Sequence, residues 1–187
     1  MSDIKLVFGI GNPDDIYYDT RHNIGIYFLK KILDKLELKL TDKKKYKYKK
    51  TELTYKENKV MIIISNCYMN ESGLYLSKIM NFYKIKKNEI IIVHDDMSLK
   101  LASIIFKSNG SHHGHNGLKD VIKNINSNKF YKLKIGIGKP DKRSDNVKYV
   151  LEKFSQQEKN ILDNKINEII LNLKKCNFIE TIKNLRE

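Results

Sequence analysis

Apolar residues in this chain come in short runs that end abruptly in polar ones. Leu6-Val7-Phe8 leads into Gly9-Ile10-Gly11-Asn12, Met61-Ile62-Ile63-Ile64 into Cys67-Tyr68-Met69-Asn70, and Ile90-Ile91-Ile92-Val93 into His94-Asp95-Asp96. Strands are expected over 4–10, 59–65, 90–94, 102–107 and 131–138, the last from the alternation Tyr-Lys-Leu-Lys-Ile-Gly-Ile-Gly. The lysine-tyrosine run Lys43 to Lys50 alternates as an edge strand paired with 51–57, lysine being a common guard against unwanted edge pairing.

Helices are expected between these strands. One covers about 23–37, with Ile24, Phe28, Ile32 and Leu36 on one face; a second covers about 71–83. A third, over about 116–126, opens on Asn116 as its N-cap. The last stretch, Ser155 to about Leu185, reads as one helix begun by the capping box of Ser155 and Glu158. A glycine- and histidine-rich loop occupies 108–115, and Pro140 with its charged neighbours marks another loop. Strands and helices alternate without repeats or linkers. The expected architecture is therefore α/β: a single domain over residues 1–187, a twisted mixed β-sheet flanked by helices.

In an open α/β sheet, ligands bind just outside the carboxyl ends of the strands. Polar residues that follow the apolar runs then converge on one pocket: a histidine, one or two carboxylates and several carboxamides. That set suits a histidine acting on water or a hydroxyl, oriented by a carboxylate, with amides gripping a polar substrate. His22, flanked by Thr20, Arg21 and Asn23, is the candidate base, since Asn23 is a natural N-cap for the helix that follows and fixes His22 at the pocket mouth. A helix N-terminus disfavours a charged imidazole, which keeps the ring able to accept a proton. Asp95 is the group to hold the tautomer and stabilise the imidazolium.

Composition narrows the class. A globular chain of 187 residues buries roughly 70% of its unfolded surface and needs no disulfide or structural metal. Cys67 and Cys176 lie far apart without a paired spacing, which fits a reduced, cytoplasmic setting. The N-terminal residues enter a strand directly with no signal segment, and no apolar run approaches the roughly 18 residues that span a membrane. The net charge is +14, from 36 basic and 22 acidic residues, and only three of the basic residues are arginine. That excess attracts nucleic-acid phosphates, although an Asn-, Ile- and Lys-rich composition also reflects AT-rich codons.

Several chemistries are set aside. Gly9-Ile10-Gly11 lacks the third glycine of a dinucleotide fingerprint: Asp14 stands there, next to Asp15, and both would repel a pyrophosphate. There is no GxxxxGK[ST] and no GxSxG nucleophile elbow. His112-His113-x-His115 with His94 and Asp95 is weak support for a metal, so no metal or other cofactor is expected.

Taken together, Gly9-Ile-Gly-Asn-Pro13, Tyr17-Tyr-Asp-Thr-Arg-His-Asn-Ile-Gly25, Tyr68-Met-Asn-Glu-Ser-Gly73, Val93-His-Asp-Asp96, Gly114-His-Asn-Gly-Leu-Lys-Asp120 and Lys134-Ile-Gly-Ile-Gly-Lys-Pro140 resemble the bacterial-type peptidyl-tRNA hydrolases, in the family's order. The resemblance implies a monomeric cytoplasmic enzyme with no obligate protein partner, cleaving the ester between a peptide and the 3′ ribose of its tRNA. It implies that His22 is the general base and Asp95 its orienting carboxylate. It further implies that Asn12, Asn70 and Asn116 hold the peptide and place the attacking water. Tyr17 and Met69 would line the cleft, His115 would sit beside Asn116, and Lys107 and Lys134 would clamp the tRNA 5′ phosphate. Lys134 replaces a frequent arginine, a point charge in place of a bidentate fork. The runner-up is a non-catalytic RNA-binding relative on the same fold; the presence of His22, Asp95 and all three asparagines favours the enzyme.

Overall fold

A computed structural model describes residues 3–55, 58–140, 145–173 and 178–185. Seven strands form one mixed sheet: β1 (Leu6–Gly9), β2 (Thr41–Lys43), β3 (Tyr48–Tyr55), β4 (Asn58–Ser65), β5 (Ile90–Asp96), β6 (Ile104–Ser108) and β7 (Tyr131–Gly136). Their order is β2-β3-β4-β1-β5-β7-β6. The central four, β4, β1, β5 and β7, are parallel, and β2, β3 and β6 join antiparallel at the two edges. The helices are α1 (Ile24–Lys35), α2 (Ser72–Tyr83), α3 (Asn116–Ile125), α4 (Asn146–Leu151), α5 (Gln156–Leu173) and α6 (Phe178–Lys183).

The near-continuous apolar runs of β1, β4 and β5 follow from burial on both faces, which is what a parallel sheet covered by helices requires. Val7, Ile62, Ile64, Ile91 and Val93 pack toward α1, α5 and α6, with Phe28, Leu29, Ile32, Ile166 and Ile179. Leu6, Phe8, Ile63, Ile90 and Ile92 face the other way, toward α2 and α3, with Leu76, Ile79, Leu118 and Val121. Successive strand residues alternate between the two cores. Gly25 permits the close seating of α1 on the sheet, because a Cβ there would lie 2.5 Å from the Val93 carbonyl oxygen.

Some sequence-based boundaries give way. The expected strand over Lys43–Lys50 does not form as such: Lys44–Tyr46 make a 3₁₀ turn, Lys47 is left-handed, and Tyr48–Tyr55 runs as one strand antiparallel to β4. Tyr48 is buried, which fixes where that strand begins. The terminal helix is described as α5 and α6, with 174–177 outside the described residues. The Ser155–Glu158 capping box is present, with reciprocal bonds of 2.7 and 3.2 Å. The sequence pattern does not mark the short α4: six residues, none of them fully buried, are too few for a helical period to show. No helix among the described residues is long and apolar enough to cross a membrane. Cys67 is buried, and burial pushes its thiol up to about 12; Cys176 lies outside the described residues.

Candidate active site

The chain leaving β1 turns to α1 on one face of the sheet, whereas the chain leaving β5 reaches α3, by way of β6, on the other. Such a divergence between neighbouring parallel strands opens a crevice at their carboxyl ends. Asp95 stands at the end of β5, and His22 lies in a single 3₁₀ turn, Arg21–Asn23, just before α1. Nδ1 of His22 is 2.9 Å from Asp95 Oδ1, and Nε2 of His115 is 2.9 Å from the same oxygen. All three side chains border an open cavity of about 850 Å³ that His94, Asn116 and Lys134 also line.

The hydrogen bonds settle the tautomers. His115 Nδ1 accepts from the Leu118 amide at 3.2 Å, so its proton is on Nε2 and is donated to Asp95. His22 donates through Nδ1, which leaves its Nε2 as the nitrogen with a free lone pair. Burial alone would push the Asp95 carboxyl up, but His22 and His115 hold it well below the usual carboxylate range. Burial likewise works to lower His22, yet the charge and hydrogen bond of Asp95 prevail and its pKa sits above 6.5. His94 is buried, with Nδ1 2.6 Å from the Asp95 carbonyl oxygen, and burial and then His115 push it down to about 3. It is therefore neutral at physiological pH.

His22, Asp95 and His115 offer ligand atoms within 4.8 Å of one another, a spacing that a metal ion would also accept. The same three groups complete one another's hydrogen bonds, the ring protons of His22 and His115 both being given to Asp95. In the 108–115 loop, His112 serves a turn, its Nδ1 accepting from the Gly114 amide at 3.0 Å.

The two expected caps are corrected. Asn23 makes no side-chain cap; its carboxamide pairs with the backbone of Asn12, Oδ1 accepting at 2.8 Å and Nδ2 donating at 3.0 Å. Asn116 is the first helical residue of α3, and His115 is the cap that precedes it. In each case a tertiary partner or a neighbouring ring competes for the role that short-range preference assigns.

Asn12 Oδ1 accepts from the Met69 amide at 2.9 Å, which leaves its NH₂ as the donor end of the carboxamide. Asn12 lines a second cavity of about 130 Å³, with Asn23, Ser65, Lys30 and Lys49, rather than the histidine cavity. Asn70 is exposed beside Met69, which is itself buried, and Tyr17 is half-buried; none of these three borders either of the two cavities. Lys107 is exposed on β6, away from the histidine cavity, whereas Lys134 lines it and is bound to Asp96 Oδ2 at 2.7 Å. Of the expected set, the fold thus gathers His22, Asp95, His115, Asn116 and Lys134 around one cavity, with Asn12 and Met69 alongside each other.

Arg21, next to His22, was not singled out for a role of its own. Its guanidinium is buried 4.2 Å over the Tyr149 ring, holds Glu158 through 2.9 and 3.1 Å bonds, and donates to the Lys153 carbonyl at 3.1 Å. It ties the histidine's turn to α4 and α5. Arg21→Ala is expected to lower unfolding free energy by about 2–4 kcal/mol, since it removes the bonds to Glu158 and the Lys153 carbonyl and leaves a gap against the Tyr149 and Phe154 rings. Lysine at this position should restore little of it, having no planar fork. Denaturant unfolding of both variants checks this, and a wild-type midpoint for alanine would contradict it.

An open α/β sheet with a carboxylate-oriented histidine at its carboxyl end defines an α/β enzyme suited to proton abstraction. Comparison with known proteins gives the family. The family description Peptidyl-tRNA hydrolase matches residues 6–185. The peptidyl-tRNA hydrolase of Pasteurella multocida is 37% identical over 169 residues, 90% of this chain and 87% of that protein. That of Francisella tularensis is 36% identical over 167 residues, 89% and 87% of the two chains. The crystal structure of peptidyl-tRNA hydrolase from Acinetobacter baumannii superposes with a TM-score of 0.86 at 30% identity, covering 100% of this chain and 96% of the other. The chain belongs to the peptidyl-tRNA hydrolase family.

Proposed function

We propose that the protein hydrolyses the ester between a peptide and the 3′ ribose of tRNA, freeing tRNA from peptidyl-tRNA released by stalled ribosomes. The observation that carries this reading is the single Asp95 oxygen shared by the Nδ1 proton of His22 and the Nε2 proton of His115. It leaves His22 Nε2 to take a proton from water at the edge of the cavity. The resulting hydroxide equivalent adds to the ester carbonyl, and the imidazolium is stabilised by Asp95. The proton then passes to the departing 3′ oxygen, so base and acid are the same group. The developing oxyanion is assigned to the NH₂ of Asn12 or of Asn70, the Asn12 carboxamide being oriented by the Met69 amide. Asn116 at the cavity wall, with Asn70, Tyr17 and Met69, is assigned to the peptide and the water. The reading is of an enzyme working as a monomer in the cytoplasm, where translation makes its substrate.

The test compares release from an N-blocked aminoacyl-tRNA with release from the same tRNA bearing a free amino acid. Rapid cleavage of the blocked substrate alone is expected. Tight tRNA binding without any release would sink the proposal. Lys107 and Lys134 are assigned to the tRNA 5′ phosphate, Lys134 in competition with its bond to Asp96. Lys107→Ala combined with Lys134→Ala should raise KM more than it lowers kcat and make log KM less salt-dependent, by roughly one in slope per lost contact. An unchanged salt slope would remove the clamp.

A further inference from the structure

Lys132, in the middle of β7, is 0% exposed. A lysine is almost never fully buried without a partner charge, yet this face of the strand is covered. Its Nζ donates to the carbonyl oxygens of Asn109 at 3.0 Å and Gly110 at 2.5 Å and lies 4.9 Å from the Phe130 ring centroid. No carboxylate among the described residues bonds it, and its charged neighbour is another cation, Lys134. Burying a cation on neutral groups is unfavourable, and methionine or leucine would fill the space at lower cost. Stability therefore does not explain the residue.

What the ammonium holds is the start of the loop joining β6 to α3. Asn109, Gly110, His113 and Gly114 all have left-handed backbones, with φ of 63°, 108°, 45° and 84°. Gly110 and Gly114 adopt such angles freely, but Asn109 and His113 do so at a cost and hold them only when their surroundings fix them. Lys132 grips its first two carbonyls, and the Asn109 amide donates to the Phe130 carbonyl at 3.0 Å. At the far end the loop delivers His115, which caps α3 and donates to Asp95, and then Asn116.

We propose that Lys132 is a positioning residue that clamps the base of the 109–114 loop and so sets the placement of His115 against Asp95 and of Asn116 against the substrate. One ammonium carries three donors, enough to hold two adjacent carbonyls that no backbone ladder satisfies. The effect on turnover rests on the hydrolase reading above; the geometry of His115 does not.

The test uses Lys132→Met and the milder Lys132→Gln, whose amide keeps two donors without the charge. Three quantities are read: kcat and KM on N-blocked aminoacyl-tRNA, the downfield proton resonance of the His115 Nε2–H bound to Asp95, and the melting temperature. Methionine is expected to lower kcat about ten- to hundredfold with KM within about twofold, as small misplacements of reacting groups do. The His115 resonance should be lost, and glutamine should fall between methionine and wild type. Unchanged kcat with an intact His115 resonance, whatever the melting temperature, would overturn the proposal. If the methionine variant does not fold, the glutamine variant decides on the same two readouts. A wild type that releases nothing would sink the hydrolase reading alone, because the His115 resonance would still judge the clamp.

Discussion

Alanine in place of His22 is expected to lower kcat on N-blocked aminoacyl-tRNA by about 10²–10⁴, the usual range for a positioned general base. Affinity for tRNA should hardly change, since the phosphate contacts are assigned to Lys107 and Lys134 and not to His22. The fold should also survive, because the turn bearing His22 is held independently by Arg21 through Glu158, Lys153 and Tyr149. Single-turnover hydrolysis measures the loss, and circular dichroism checks the fold. A folded variant that keeps most of its rate would take the base role from His22.

Asn in place of Asp95 should cost a similar or larger factor, on the order of 10³–10⁴, by analogy with other carboxylate-histidine pairs. Two physical effects combine. The amide carries no charge to stabilise the imidazolium, and its NH₂ can face either ring, which favours the wrong tautomers of His22 and His115. The pH profile separates this from general damage. In the wild type, Asp95 holds His22 above 6.5 against burial, so kcat/KM should rise through a pKa above 6.5 as His22 loses its proton. With the charge gone, burial prevails and the acid limb should move below 6.5 while the plateau falls. An acid limb that stays in place would show that Asp95 does not set the His22 titration.

The same pair gives stability a definite pH dependence. His22 is raised in the fold, so its contribution is fully present below about 6.5 and fades as pH climbs through the folded value. Asp95 is depressed, so its contribution is present above its unfolded value of about 3.9 and is lost as acid reaches the folded value.

Sequence alone determined the strands that carry the site. Residues 6–8, 60–64 and 90–93 are apolar throughout because they are covered on both faces, and a switch from apolar to polar marks the carboxyl end of each strand. The order of motifs around His22, Asp95 and His115 was enough to place the chain in its family. The core face of α1 was equally legible, being periodic over several turns, and the start of α5 was marked by its capping box.

Other features depend on what the fold sets opposite a residue. Periodicity hides the short α4, which has no fully buried residue, and does not reveal that Lys132 is covered, because the loop beneath it belongs to a different part of the chain. Asn23 and Asn116 have the residue types of caps, but Asn12 claims the first and His115 displaces the second. Only the tertiary structure decided that one oxygen of Asp95 serves two histidines and that Lys134 is bound to Asp96. Residue type fixes which hydrogen bonds a side chain can make. Which of them form, and therefore which nitrogen of His22 is left free, depends on contacts between residues as far apart as His22 and Asp95, which no local pattern encodes.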